Sequence, residues 1–300
     1  MKKGKVLCYG LFSVAGLMLL NGCSNLLLAP EKSAQIVRIS SDQLLTKQAD
    51  LKDNWELIWN DEFEDINGDG SLDKHKWGYE VGLIRNKEAQ YYTKNCRKNV
   101  RVENGKLVIE GIKEKFSDKK GKKAEYTSGS INTLGKFSFK YGRVDIRAKL
   151  PSGRGVWPAI WMMGIDRSIY GWPRCGEIDI MEYVGNGKDA VKIHSTVHGP
   201  NYNWKKKDEP RTGHILFDKP PVADFHIYSL EWSEKNIKFF FDGQHYLTFK
   251  NTQNKDWVYS KPYYILLNLA LGGSWGGKID DSIFPVQYYV DYVRVYKKVK

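Results

Sequence analysis

Phe137-Ser138-Phe139-Lys140-Tyr141-Gly142-Arg143-Val144-Asp145-Ile146-Arg147-Ala148-Lys149-Leu150 has a period of two. The aromatics of its first five residues alternate with small or charged side chains. Val144, Ile146, Ala148 and Leu150 then alternate with Asp145, Arg147 and Lys149. Side chains two apart share one face of a strand, so the run reads as a strand with an apolar face turned to a core. Lys106–Ile112, Phe225–Trp232 and Tyr288–Tyr296 read the same way. Ile237–Phe241 and Tyr246–Phe249 flank Asp242-Gly243, a pair suited to a hairpin turn. No long stretch has a helical period. Many strands with turn chemistry between them predict an all-β fold, a sandwich or jelly roll of two antiparallel sheets.

Residues 53–300 carry 38 of the 40 aromatic residues in the 300-residue chain, enough for one sizeable core. That load excludes intrinsic disorder, and a mean hydropathy of −0.52 excludes a polytopic membrane protein. Residues 24–52 hold neither an aromatic nor a glycine and read as a tether. Met1-Lys2-Lys3-Gly4-Lys5 is a charged start, and Val6–Leu20 is apolar but short for a membrane span. Leu20-Asn21-Gly22-Cys23 resembles the lipobox of bacterial lipoproteins, which implies cleavage before Cys23 and a lipid on its thiol. Ser24 after it resembles the outer-membrane sorting pattern. The expected organisation is a signal peptide over 1–22, a lipidated Cys23 and tether over 23–52, and one catalytic domain over 53–300. The expected location is the bacterial cell envelope, on the outer membrane, with lipid in place of a transmembrane helix.

The formal charge of +12 invites an anionic partner, yet its distribution argues against one. Within 53–300 the excess sits at Lys113–Lys123, Lys205–Glu209 and Lys297–Lys300, and the rest of the domain sums to zero. Loops and ends carry the charge, so no nucleic-acid partner is expected.

The densest chemistry is Gly176-Glu177-Ile178-Asp179-Ile180-Met181-Glu182. On a strand Glu177 and Asp179 share a face while Ile178 and Ile180 point to the core. Glu182, five residues from Glu177, falls on the opposite face, where a lone carboxylate is costly. A one-residue β-bulge near Met181 restores the phase and brings all three acids to one surface. Three neighbouring acids repel one another, which fits a cation site or a catalytic pair whose proton affinities are pushed apart. Retaining glycosidases need two carboxyls about 5–5.5 Å apart, one as nucleophile and one as acid/base. The plainer alternative is a solvated acidic strand face.

Around these acids the sequence resembles the laminarinase-like branch of glycoside hydrolase family 16. The resemblance rests on Trp157-Pro158-Ala159-Ile160-Trp161-Met162 followed by Gly171–Gly185, with Trp55–Phe63, Tyr141–Val144 and Tyr289–Tyr296 in order around them. It implies a jelly roll with a substrate cleft on its concave face and endo-hydrolysis of β-glucans with retention. It also implies that Glu177 is the nucleophile, Glu182 the general acid/base, and Asp179 the residue that hydrogen-bonds and tunes the nucleophile. No cofactor is implied for catalysis, and the chain is expected to act as a monomer.

The resemblance places Trp161, Trp172, Trp157, His198, Asn86 and Arg143 at sugar-contacting positions. Trp275 lies in the glycine-rich Leu271–Gly277 loop, which would let backbone approach a ligand. Any one tryptophan is also a natural core residue. His194 and His198 share a face of one strand, but no third zinc ligand is near, and structural histidines are the alternative. Glu62, the backbone near Gly105, and Asp291 match positions that hold a structural Ca²⁺ in family members. Asp65-Ile66-Asn67-Gly68-Asp69-Gly70 imitates an EF-hand start, but Lys76 stands where the loop needs Glu, so it reads as a solvated turn. Cys96 and Cys175 have no spacing that argues for or against pairing. Three functions follow for testing: a β-1,3- or mixed-linkage 1,3-1,4-β-glucanase, a galactan hydrolase of the same fold acting on agar or carrageenan, and a catalytically silent glycan-binding lipoprotein.

Overall fold

A computed structural model describes residues 35–39, 54–203, 211–251 and 257–299. The signal peptide, Cys23, the rest of the tether outside 35–39, and the basic run Lys205–Glu209 lie outside the described residues. In chain order the strands are β1 (Gln35–Ile39), β2 (Trp55–Asp61), β3 (Gly78–Tyr79), β4 (Gln90–Tyr92), β5 (Val100–Val102) and β6 (Leu107–Ser117). There follow β7 (Lys123–Ser128), β8 (Ser130–Asn132), β9 (Gly142–Lys149), β10 (Val156–Gly164), β11 (Glu177–Glu182) and β12 (Lys192–His198). The last are β13 (Arg211–Phe217), β14 (His226–Trp232), β15 (Asn236–Phe241), β16 (Gln244–Lys250), β17 (Tyr263–Leu271) and β18 (Val286–Lys298). The α-helices among the described residues are single turns, Arg167–Tyr170 and Gly273–Gly276.

The strands form two sheets. One has the order β1-β13-β12-β11-β10-β17-β8-β3, and the other runs β16-β15-β14-β9-β18-β6-β7-β4, with β2 also on β18 and β5 on β6. Pairing is antiparallel except β1 on β13 and β4 on β7. Neither exception is a hairpin: a long connection precedes each partner, so strand direction is free of a tight turn. The β1 strand is an addition to the sequence reading, which assigned no element to the tether.

The core between the sheets follows from alternation. On β9 Val144, Ile146 and Ala148 are fully buried, and they meet Ile160, Met162, Ile178 and Ile180 of the facing sheet in one cluster. All nine residues of β10 and of β17 are buried, because one face of each lies on the core and the other under a wall of aromatic side chains. The EF-hand-like segment is an exposed turn in which Asp65 accepts the amides of Asp69 and Gly70. Cys96 and Cys175 are both free thiols.

Candidate active site

The second face of β10, β11, β12 and β17 lines a cleft of about 1070 Å³. Strand β11 delivers all three acids to it. Trp161 pairs with Asp179 and Ile160 with Met181, so Ile180 has no partner on β10. On the other side Asp179 pairs with Thr196 and Glu182 with His194, so two residues of β11 oppose one of β12. This is the one-residue bulge the sequence called for, spread over Ile180–Met181, and it turns Glu182 back to the face of Glu177 and Asp179. Ser195 on β12 donates its hydroxyl to the carbonyl of Ile180 at 2.6 Å, so the oxygen that the bulge takes from the ladder keeps a partner. Gly176 enters the strand at φ +70°, and a Cβ there would lie 1.9 Å from the Tyr263 hydroxyl. Only glycine fits that entry.

The carboxylates sit among few cations. Burial, followed by the charge of Asp179, pushes Glu177 up to about 7. Burial alone pushes Asp179 up to about 8, against a hydrogen bond shared with Glu177. Burial, with the neighbouring Asp179 charge, raises Glu182 well above the ordinary carboxylate range, although the Trp157 indole donates to its Oε1 at 3.1 Å. Burial thus favours the protonated form at Glu182 and at Asp179, and Asp179 shares a hydrogen bond with Glu177. His198 Nε2 stands 3.1 Å from Asp179 Oδ2 and 3.7 Å from Glu177 Oε1.

Aromatic residues flank the acids at both ends. Trp161 and Trp172 lie toward Glu177, whereas Trp157 and Trp275 lie toward Glu182, with their rings edge to face at 5.6 Å. Asn86 and His198 also line the cleft. Arg143 does not. It belongs to β9 in the other sheet, where alternation with Val144 turns it to the outer face. There it is buried against Asp145 at 2.8 Å and Glu231 at 3.0 Å. The expectation of a sugar contact at Arg143 is corrected: it is a structural cation.

The calcium reading is corrected in a similar way. Register brings Glu62, Gly105 and Asp291 to one stretch of β18, because Asp61 pairs with Val293 and Leu107 with Val290, and Asp291 is a bulge against β9. The carboxylates, however, are already taken. Glu62 holds Arg294 in a two-pronged ion pair at 2.9 and 2.8 Å, and Asp291 holds Arg147 at 2.6 Å. A cation with six to eight oxygen ligands does not fit side chains neutralised by two arginines.

Arg85 and Asn268 are among the cleft residues that escaped the sequence reading. Arg85 stacks its guanidinium 4.8 Å above the Trp161 ring, pairs with Glu80, and lies 4.0 Å from Glu88. Its segment has no period and reaches Glu177 only through the fold. Asn268 on β17 accepts the Trp161 indole at 2.7 Å and donates to the Tyr92 hydroxyl at 3.0 Å. One amide inside the apolar run Tyr263–Leu271 was a legible signal, since a buried polar group demands partners. The 85–88 loop packs against the glycine-rich loop, where Gly273 at φ +77° has the Asn86 carbonyl only 2.9 Å from the place of a Cβ.

A family model, "Glycosyl hydrolases family 16", matches residues 87–294. A β-glucanase of Rhodothermus marinus is 43% identical over 280 residues, covering 88% of this chain and 93% of that protein. The laminarinase catalytic domain of Thermotoga maritima superposes with a TM-score of 0.74 at 40% identity, covering 82% of this chain and all of that one. The laminarinase structure from Rhodothermus marinus gives a TM-score of 0.74 at 43% identity, over 82% of this chain and 98% of that one. With the bulged acid strand, the aromatic cleft and the two-sheet fold in place, the chain belongs to glycosyl hydrolase family 16.

Proposed function

We propose that the protein is a retaining endo-hydrolase of β-glucans that cleaves 1,3-linked chains of laminarin type or 1,3 linkages in mixed 1,3-1,4-glucan. One observation carries this reading: the bulge sets Glu177 and Glu182 on one cleft face with Asp179 between them, amid tryptophan faces that suit sugar C–H surfaces. Glu177 attacks the anomeric carbon while Glu182 passes its proton to the departing glycosidic oxygen. Glu182, now a base, takes a proton from water, and that water releases the glycosyl group from Glu177. Asp179 keeps its proton and steadies the Glu177 carboxylate through their hydrogen bond. The reading is tested by digesting laminarin, barley-type glucan, lichenan and agarose and following the anomer first released by NMR. β-Anomeric oligosaccharides from the glucans support it. Cleavage of agarose alone would place the chain among galactan hydrolases, and binding without new reducing ends would make it a glycan-binding protein.

The same proposal includes a monomer held on the cell envelope by lipid at Cys23, on the outer membrane. The support is the charged, apolar and cysteine pattern of the first 23 residues. Cys23→Ala should move the protein from the membrane fraction to the soluble one. Calcium on the outer sheet forms no part of the proposal, because both carboxylates it would use hold arginines.

A further inference from the structure

We propose that Glu177, Asp179 and His198 form a site for a divalent transition metal, best suited to Zn²⁺, whose occupancy switches the enzyme off. The inhibitory half rests on the catalytic reading above; the binding half does not. One oxygen from each carboxylate and one imidazole nitrogen lie within 4.8 Å of one another. Zinc binds such ligands at about 2.0–2.2 Å in a tetrahedron, which sets its ligand atoms roughly 3.3–3.6 Å apart. The His198 Nε2 distances of 3.1 and 3.7 Å to Asp179 Oδ2 and Glu177 Oε1 bracket that spacing before any adjustment.

Two further facts point to a ligand. Asp179 is 3% exposed, and its Oδ2, which faces His198, makes no hydrogen bond. Two carboxyls and one imidazole make a mixed oxygen–nitrogen set, which suits Zn²⁺ and disfavours Ca²⁺ and Mg²⁺, which want oxygen shells. The Arg85 charge acts on Glu177, but Glu80 pairs with that guanidinium and Glu88 lies 4.0 Å from it. All three residues line the cleft. A metal there would coordinate Oε1 of the nucleophile and stand where the sugar must approach. His198 Nδ1 is buried without a partner, so the ring lacks the outer hydrogen bond that strengthens most zinc histidines. Affinity on the order of micromolar, not nanomolar, is therefore expected.

Calorimetric titration of the untagged, metal-free full chain with ZnCl₂ tests the site. One zinc per chain is expected, with Asp179→Asn and His198→Gln each weakening binding about 10-fold or more and His214→Gln leaving it unchanged. Circular dichroism of each variant separates lost binding from lost folding. Laminarin hydrolysis should fall with an inhibition constant equal to the measured Kd and return on adding EDTA. No zinc uptake by the wild type, or uptake that survives Asp179→Asn and His198→Gln but fails in His214→Gln, would overturn the proposal. Zinc uptake at this site by a chain that, metal-free, cleaves no glucan would instead overturn the catalytic reading and leave the metal site standing.

Discussion

Strands β9 and β11 both carry ionised side chains at alternate positions, and the two uses could hardly differ more. On β9, Arg143 and Asp145 stand side by side on the outer face, and Glu231 from β14 completes the set. Arg147 likewise meets Asp291 across the sheet. Arg143, Asp145 and Arg147 each have an opposite charge within ion-pair distance, so these positions are structural. On β11, Glu177, Asp179 and Glu182 meet tryptophan, histidine and threonine, and Arg85, whose charge reaches Glu177, is already paired with Glu80. Burial there is not offset by pairing, so the carboxyls hold protons well above their ordinary range. The alternation is the same; what stands across the sheet decides between structure and chemistry.

The comparison is broken most directly at Glu177. Glu177→Ser should cut kcat on laminarin by at least about 10³-fold with the melting temperature preserved, because a nucleophile acts only in the reaction. Retained activity would return β11 to the class of solvated strands. Glu182→Gln should lose about 10²–10⁴-fold on laminarin, the usual range for one acid/base group. The loss should shrink on an aryl β-glucoside of laminaribiose, whose leaving group needs no proton, and equal losses on both substrates would deny Glu182 the acid role.

Arg143→Met reverses the pattern on β9. It leaves Asp145 buried without its cation, at a cost of about 3–5 kcal/mol, and should lower the melting temperature by several degrees with KM unchanged. A raised KM with an unchanged melting temperature would restore Arg143 to the substrate.

The smallest effect concerns pH. Glu177 and Asp179 have folded values raised to about 7 and about 8, against an unfolded carboxylate near 4, so the folded state binds more protons between those limits. Stability from these groups is full below about pH 4 and is lost as pH rises through 7 and 8. Asp179→Asn should therefore raise the melting temperature at pH 8 by a few degrees and flatten its fall between pH 5 and 8. An unchanged pH profile would show that β11 is relieved of its charge by some other group.

Much of this was legible in one dimension. Period-two runs such as Val144–Leu150 announce strands, because only a strand turns every second side chain to one side. The phase slip between Glu177 and Glu182 announces the bulge, because a strand cannot otherwise bring an odd offset to one face. Arg143 could not be read correctly: alternation says that it leaves the core, but not whether its outer face is the cleft or the back of the molecule. Nor could Glu62 and Asp291, since register places them together while the rotamers of Arg294 and Arg147 decide what they bind.

By itself, then, the sequence determined an all-β fold, the strand that carries the acids and the single residue that must bulge from it. These depend on neighbours within a few positions, where backbone geometry leaves little choice. The tertiary structure alone decided that Arg85 and Asn268 brace Trp161, that Arg143 is structural, and that the acids are buried far enough for their proton affinities to rise. Those outcomes depend on which strand lies beside which, and on how much water is excluded between them, and neither is written in local spacing.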